Sequence, residues 1–311
     1  MLRPILLALS HRRSLQRFAL RNPVLRRAAL RFVAGERPED AVAVIRRLNR
    51  AGLLATLDFL GEHTATRDGA AAGAESYLVI LDELRRSGVD SNLSLKLSQL
   101  GLDVDEALCE ALLRRVLARA GTMFVRVDME SSQYTDRTLR LVEGLWAGGI
   151  RNVGVVIQSY LRRSEADVER MIALGIRVRL VKGAYAEPPS VAFPRKQDVD
   201  HNFERLAERL LRRSTYPAIA THDERLIDAA KRAAAAGGIA PDRFEFQMLY
   251  GIRRDLQARL RREGYGVRVY VPFGEEWYPY FMRRLAERPA NVMFVLRSVL
   301  RERGAGGEGA P

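Results

Sequence analysis

Eight short runs of β-branched residues and leucine, each followed by a segment with helical periodicity, constrain the fold of this chain most strongly. This alternation is typical of βα units around a parallel sheet, and eight units close a barrel. The predicted strands span residues 53–58, 93–97, 123–128, 154–158, 177–181, 218–221, 244–247 and 267–271. The predicted helices include residues 74–87, 106–120, 137–147, 198–213 and 224–236. We therefore predict the α/β class, as a (β/α)8 TIM-like barrel with short N-terminal helices.

The first 50 residues differ from the rest of the chain in charge. They contain twelve arginines and three acidic residues, and the first acid is Glu36. This composition predicts short basic amphipathic helices that touch a membrane or cover the barrel floor, although an arginine-rich start is also typical of an organelle transit peptide. We predict three regions, namely the basic segment 1–50, the barrel 51–303, and a disordered glycine-rich tail 304–311.

The net charge of +13 raises the question of nucleic acid or an anionic membrane. Four of the 51 basic residues are lysines (Lys96, Lys182, Lys196 and Lys231), which leaves 47 arginines. A skew of this size indicates a chain-wide preference for arginine, and the bases occur on every helix without aromatic stacking residues, so we expect no nucleic-acid binding. The single Cys109 and four dispersed histidines predict neither a disulfide nor a metal site.

Polar side chains end all eight predicted strands, and barrel active sites lie at the carboxyl ends of the strands. These residues are Asp58, Lys96, Asp128, Gln158, Arg179 with Lys182, Thr221 with His222, Gln247 and Tyr270. Lys96 and Asp128 end adjacent strands, so we expect them to form an ion pair, which is either part of the site or purely structural. Arg179 points inward and needs a planar or anionic partner, for which a flavin ring is suited.

The region after the last strand contains a candidate anion site. Tyr280 precedes Arg283 and Arg284 by three and four residues, which places all three on neighbouring parts of one helix face. Paired guanidinium groups are suited to a carboxylate, so this face is a candidate carboxylate clamp beside Tyr270. After the fifth strand, Gly183 and Ala184 have little side chain, which lets backbone approach a bulky cofactor.

Seven motifs follow one another along the chain: SLKLSQLG, RVDMES, VVIQSYL, RVRLVKGAY, ATHD, FEFQMLYG and VRVYVPFGEEWYPYFMRRLAER. Over residues 53–291 the chain resembles the proline dehydrogenase family, including the proline dehydrogenase domain of bifunctional bacterial proline-utilisation flavoproteins. The resemblance implies FAD-dependent oxidation of L-proline to Δ1-pyrroline-5-carboxylate. It also implies hydride transfer from C5 to flavin N5 in the first step of proline catabolism to glutamate.

The resemblance also assigns roles by motif position. Catalytic and substrate-binding roles fall on Asp128, Arg179, Lys96, Leu249, Tyr270, Tyr280, Arg283 and Arg284. Flavin contacts fall on Met129, Gln158, Arg179, Val181, Lys182, Gly183, Ala184, Arg195, Lys196, Thr221, His222 and Gln247. We further expect Glu62 to pair with Arg283 when substrate closes the site, and the Tyr270 hydroxyl to exclude 4-hydroxyproline.

The predicted partners are L-proline and a quinone-type electron acceptor. The sequence has no NAD fingerprint, so we expect a separate pyrroline-5-carboxylate dehydrogenase to act on the product. The predicted location is the cytoplasm, with peripheral contact at the inner face of the bacterial membrane through the N-terminal arginines. The alternative interpretation is a barrel lyase or aldolase that forms a Schiff base through Lys96 or Lys182.

Overall fold

Eight parallel strands form a closed barrel in chain order in the computed structural model, which describes residues 22–61 and 63–287. The strands are β1 Leu54–Phe59, β2 Ser91–Leu95, β3 Val125–Val127, β4 Val153–Gln158, β5 Val178–Val181, β6 Ala218–Ala220, β7 Glu245–Leu249 and β8 Gly266–Phe273. β8 closes on β1, with Tyr270 opposite Thr56. The predicted barrel is confirmed, and each of the eight predicted strands overlaps an observed one.

Helices follow the strands and surround the barrel. They are α1 Pro23–Ala29, α2 Pro38–Arg50, α3 Arg67–Ser87, α4 Glu106–Ala120, α5 Thr135–Ala147, α6 Ser164–Leu174, α7 Lys196–Arg213, α8 Glu224–Ala236, α9 Arg254–Arg262 and α10 Trp277–Glu287. The prediction for α3 began seven residues too late, at residue 74. Thr66 caps this helix by accepting a hydrogen bond from the Gly69 amide at 3.1 Å, and the glycine- and alanine-rich turns that follow show no apolar periodicity.

The main core lies between the outer face of the strands and the helices. Side chains such as Leu57, Leu93, Val125 and Val155 on the strands and Leu113 on α4 are fully buried in one hydrophobic cluster. Successive residues of a strand point to opposite faces, so these apolar residues alternate with residues that point into the barrel. The barrel interior is therefore lined by the alternate residues of each strand, which include the charged side chains of Asp58, Arg179 and Arg268.

The N-terminal segment packs along the barrel from residue 22 onward. Near the mouth, the end where the strands finish, the Ala34 amide donates to the Pro272 carbonyl at 2.8 Å. α1 packs against α10 in a second apolar cluster that includes Phe32 and Trp277. At the opposite end, the Arg261 side chain donates to the Gly52 carbonyl at 2.7 Å. The described part of the segment, residues 22–50, thus runs from the mouth towards the floor. Within the described ranges, no helix is long and apolar enough to cross a membrane.

Candidate active site

Asp128, directly after β3, is the centre of a contact network at the mouth. Its Oδ1 accepts hydrogen bonds from Ser94 Oγ and Arg179 Nη1, both at 2.7 Å, and its Oδ2 accepts one from the Tyr270 hydroxyl at 2.6 Å. The donors come from β2, β5 and β8. Burial, followed by the charge of Asp128, raises the pKa of Tyr270 well above its ordinary value, so the phenol keeps its proton and remains a donor.

Lys96 does not make the predicted ion pair with Asp128. Its Nζ donates to Asp58 Oδ1 on β1 at 2.8 Å. Two conditions explain this choice: Asp128 already has Arg179 as its counterion, and Asp58 is 1% exposed and needs a cation. The prediction was wrong because adjacency of strands does not decide which of two nearby carboxylates binds the amine.

The charge state of Lys96 bears on the lyase alternative. Burial alone would favour the neutral amine, but the carboxylates of Asp58 and Asp128 outweigh it and raise the pKa of Lys96. A Schiff-base nucleophile must be a neutral amine. Lys182, the other candidate, is held between Asp200 Oδ1 at 2.7 Å and Asp223 Oδ2 at 3.0 Å. Neither lysine therefore has the surroundings of a nucleophile.

The carboxylate-clamp residues of α10 lie close together. The guanidinium carbons of Arg284 and Arg283 lie 5.0 and 6.0 Å from the centre of the Tyr280 ring. Burial, followed by repulsion from Arg284, lowers the pKa of Arg283, while the charge of Asp58 acts in the opposite sense. α10 thus brings Arg283 within electrostatic range of the Lys96–Asp58 pair. Glu62, the predicted partner of Arg283, lies outside the described residues.

Tyr185 is a site residue that the sequence reasoning missed. It is 43% exposed, and the part of the ring that is covered, followed by the charge of Glu130, raises its pKa. The charges of Lys96 and Arg283 lower its pKa, and that of Asp128 raises it. The sequence contains a signal for Tyr185, because an aromatic residue directly follows Gly183 and Ala184 after a strand that carries an inward-pointing arginine.

A second group of charges surrounds the start of α7. Besides Lys182, the buried carboxylate of Asp200 binds Lys196 and, at 2.9 Å, Arg225. Burial opposes ionisation of Asp200, but its hydrogen bonds from Lys182 and Lys196 dominate and lower its pKa. Arg195, the exposed residue before the helix, binds Asp198 at 2.8 Å. Several cations at a helix N-terminus are suited to a phosphate.

The other predicted flavin residues lie at or near the ends of β3 to β7. Gln158 Nε2 donates to the Glu130 carbonyl at 2.9 Å, and His222 Nε2 accepts from the Leu249 amide at 2.9 Å. Thr221 Oγ1 accepts from the Asp223 amide at 3.1 Å. The remaining members of this group are Met129, which is 7% exposed, the half-buried Val181, and Ala184, which is exposed.

A family model described as "Proline dehydrogenase" matches residues 41–297. The chain belongs to the proline dehydrogenase family. Proline dehydrogenase 1 of Bacillus subtilis subsp. natto is 43% identical over 304 residues, which cover 97% of this chain and 100% of the relative. The proline dehydrogenase of Deinococcus radiodurans is 44% identical over 281 residues, or 88% and 90% of the two chains. These matches confirm the resemblance found in the motifs and make the chain an oxidoreductase of this family.

Bifunctional relatives match over a smaller share of their length. The bifunctional protein PutA of Escherichia coli is 30% identical over 319 residues, which cover 86% of this chain and 24% of PutA. The crystal structure of PutA from Bdellovibrio bacteriovorus inactivated by N-propargylglycine superposes with a TM-score of 0.79 at 27% identity. The aligned region covers 84% of this chain and 32% of that one, so this chain spans about a third of the bifunctional protein.

The proline dehydrogenase family implies a flavin, and Arg179 provides a test of whether the site fits one. Nε and Nη1 of Arg179 donate to Gln247 Oε1 at 2.5 Å and to Asp128. Its buried Nη2 has no hydrogen-bond partner within residues 22–61 and 63–287. A buried N–H without an acceptor is costly, so an acceptor on a bound group is expected here. The residues present fit a flavin on this observation.

Gly183 has a structural reason within the protein itself, in addition to the one predicted. Its backbone φ is +113°, and a Cβ on this residue would lie 2.2 Å from Cδ1 of Tyr160. Glycine is therefore required by the Tyr160 ring and by the backbone conformation, independently of any cofactor.

Proposed function

We propose that this enzyme oxidises L-proline to Δ1-pyrroline-5-carboxylate, the first step of proline catabolism to glutamate. The observation that carries the proposal is the grouping of Asp128, Arg179 and Tyr270 with the Lys96–Asp58 pair at one mouth, within electrostatic range of Arg283. FAD, when bound without a covalent link, supplies a hydride acceptor at N5. The residues that would hold it are those near Arg179 and at the start of α7.

The substrate carboxylate is bound by Lys96 from β2 and by Arg283 and Arg284 from α10. An ammonium group and two guanidinium groups provide charge-assisted hydrogen bonds with different geometry, which fixes the carboxylate and orients the ring. Leu249, Tyr270 and Tyr280 enclose the pyrrolidine ring. Tyr185, which follows β5 and is 43% exposed, would cover the open side of the ring.

The cations of the mouth also set the protonation state of the substrate. A pocket with Lys96 and Arg283 disfavours a further cation, so the ring amine loses its proton to solvent as proline binds. Hydride then leaves C5, and the nitrogen lone pair forms the C=N bond of an iminium ion, which releases its N–H proton to give the imine. Arg179, fixed by Asp128 and Gln247, is one of the residues that would hold the flavin, and its positive charge would stabilise the reduced ring.

Product trapping tests this function. The FAD-loaded protein is incubated with L-proline and a soluble quinone, and the cyclic imine is detected by its coloured adduct with o-aminobenzaldehyde. We expect adduct formation that depends on both substrates. Lys96→Met should raise the KM for proline about tenfold or more, because it removes a charge-assisted contact. Lys231→Met is the matched control, because Lys231 binds Glu263 on the outside of the barrel. Absence of adduct with the unaltered protein would refute the proposal.

Tyr270 is proposed to set the specificity against 4-hydroxyproline. Its hydroxyl is fixed by Asp128 at 2.6 Å and would face C4 of the substrate ring. Tyr270→Ser should therefore increase kcat/KM for 4-hydroxyproline relative to that for proline, which competition kinetics measures. An unchanged ratio would remove this role from Tyr270.

Electrons taken from proline must leave the enzyme, and we propose a membrane quinone as their acceptor. The enzyme would then be cytoplasmic with peripheral contact at the inner membrane face, and a separate pyrroline-5-carboxylate dehydrogenase would use its product. Sedimentation with anionic liposomes at low salt tests the membrane contact. Binding that disappears at high salt is expected, and a protein that stays in the supernatant at low salt contradicts this part of the proposal.

A further inference from the structure

An ion pair lies inside the barrel below the mouth residues. Both carboxylate oxygens of Glu245 accept from Arg268 Nε, at 2.9 and 3.1 Å, and Arg268 Nη1 donates to the Ala55 carbonyl at 2.7 Å. Glu245 is 2% exposed and Arg268 is 8% exposed. A buried ion pair of this kind is weak evidence for added stability, because desolvation opposes the attraction. Its place in the molecule therefore needs another explanation.

Glu245 connects this ion pair to the proposed site through Gln247. The two residues share the inner face of β7, and Gln247 Nε2 donates to Glu245 Oε1. Gln247 Oε1 in turn accepts from Arg179 Nε at 2.5 Å. Arg179 then donates to Asp128. One continuous hydrogen-bonded path thus extends from Arg268 to Asp128.

Glu245 and Arg179, the two neighbours of the Gln247 side chain, allow only one orientation of its amide. An ionised carboxylate can only accept, and a guanidinium can only donate, so the NH2 group must face Glu245 and the oxygen must face Arg179. Burial opposes ionisation of Glu245, but the charge of Arg268 and its hydrogen bond dominate and lower the pKa of Glu245. Glu245 is therefore an obligatory acceptor at neutral pH.

We propose that Glu245 is a positioning residue for proline oxidation, and that it acts by holding the Gln247 amide in the one orientation that fixes Arg179. This inference rests on the proposed function and concerns the same site. With Nε on Gln247 and Nη1 on Asp128, the Arg179 guanidinium has a fixed plane, and Nη2 is left for the bound group. A reversed amide would set NH2 against the Nε–H and displace the guanidinium.

The expected effect is on kcat and not on proline binding. A small displacement of a group that acts in the transition state can cost about 10²-fold in rate. Glu245→Gln should therefore lower kcat by about 10- to 100-fold. The KM for proline should stay within about twofold, because Lys96 and Arg283 lie on other elements and share no hydrogen bond with Glu245. A general loss of structure would instead change both kcat and the KM for proline.

A double-mutant cycle tests whether Glu245 acts through Arg179. The kcat for proline is measured for the unaltered enzyme, Glu245→Gln, Arg179→Lys and the double variant, all loaded with FAD. We expect Glu245→Gln to have little further effect in the Arg179→Lys background, since the guanidinium that it positions is already gone. Multiplicative effects of the two substitutions would overturn the inference.

Two further variants separate positioning from folding. Asp167→Asn is the matched control: Asp167 is also a buried acid, bound by Arg163 at 2.7 and 2.9 Å, but it lies on α6 outside the barrel. Its kcat should equal that of the unaltered enzyme. If Glu245→Gln does not fold, the neutral pair Glu245→Gln/Arg268→Gln leaves no unpaired charge and should still show the loss of kcat.

The outcomes distinguish this inference from the proposed function. An unaltered enzyme that does not oxidise proline contradicts the function itself. An active unaltered enzyme with a Glu245→Gln variant of equal kcat contradicts only the positioning role. Recovery of full kcat in the neutral double variant would also overturn it, because Glu245 would then serve only to neutralise Arg268.

Discussion

The two faces of the barrel wall are similarly buried but chemically opposite. On β3, Val125 and Val127 point outward against the helices, while Arg126 between them points inward, and all three are at most 4% exposed. Among the described residues, the interior and its mouth include the ion pairs of Asp58 with Lys96, Asp128 with Arg179, and Glu245 with Arg268. The outer face stabilises the fold by apolar contacts without direction, whereas the inner face requires particular partners at fixed distances.

The difference indicates a division of labour. Apolar packing tolerates changes of shape and contributes most of the free energy of folding, so the outer face can be altered at the expense of stability alone. The inner face is costly to desolvate and is retained for what its charges do at the mouth. Substitutions on the outer face should therefore reduce stability, whereas substitutions on the inner face should reduce activity.

The largest effect is expected from Asp128→Asn, an inner-face change. The amide keeps the shape of the side chain but removes the charge that Arg179 and Tyr270 bind. We expect kcat/KM for proline to fall about 10²- to 10³-fold, the usual effect of losing one preorganised electrostatic group. Steady-state kinetics checks this, at a temperature where circular dichroism shows the variant folded. A loss of less than about fivefold would contradict the role of the inner face.

Leu113→Ala on the outer layer should show the opposite behaviour. Leu113 on α4 is 0% exposed, and its truncation should lower the free energy of unfolding by about 2–5 kcal/mol. Its kcat at 25 °C should stay within about twofold of the unaltered value. Urea denaturation and kinetics on the same preparation measure both quantities. Loss of activity comparable to that of Asp128→Asn would break the distinction between the two faces.

Acid should weaken the inner face through Glu245. Since the folded-state pKa of Glu245 lies below the ordinary value of 4.5, its ionisation contributes stability that is fully present above about pH 4.5 and is lost as the pH falls through the folded-state pKa. The difference in unfolding free energy between the unaltered protein and Glu245→Gln should therefore shrink from about pH 5 to about pH 3. Denaturation series across this range test it, and a difference that grows with acid would contradict a lowered pKa for Glu245.

The smallest effect is expected from an arginine outside both faces. Arg114 on α4 binds Glu110 one turn earlier at 2.6 Å, and both side chains are about two-fifths exposed (42% and 41%). Because solvent screens such a pair, Arg114→Ala should change the free energy of unfolding by at most about 0.5 kcal/mol and leave kcat unchanged. Thermal denaturation measures the stability. A change above about 1 kcal/mol would show that this surface pair contributes more than solvent screening allows.

The sequence predicted the apolar face better than the charged one, for a physical reason. Apolar periodicity is a local signal, and it located the eight strands and both ends of α4 and α8. The inner contacts join distant segments: Arg179 and Asp128 are 51 residues apart, and register and counterions decide which groups meet. The Lys96–Asp128 pair was therefore predicted wrongly, although both residues were selected correctly as strand ends.

Glu245 and Tyr185 were not selected as site residues from the sequence, although the sequence contains a signal for each of them. Glu245 shares the inner face of β7 with Gln247 by simple alternation, so the sequence already placed an acid inside the barrel. Tyr185 follows Gly183 and Ala184 at the mouth, where an aromatic residue can cover a ligand. The pairing of Glu245 with Arg268, by contrast, depends on how β7 and β8 align, with Gln247 opposite Arg268.

The central claim of the proposed function is that the charged mouth of this barrel positions proline for hydride transfer to a flavin. The most direct measurement is the visible absorption spectrum of the FAD-loaded protein, recorded without oxygen before and after addition of L-proline. We predict that the visible absorption band of the oxidised flavin bleaches when proline is added. A flavin band that persists with excess proline, or a protein that retains no FAD, would contradict this central claim.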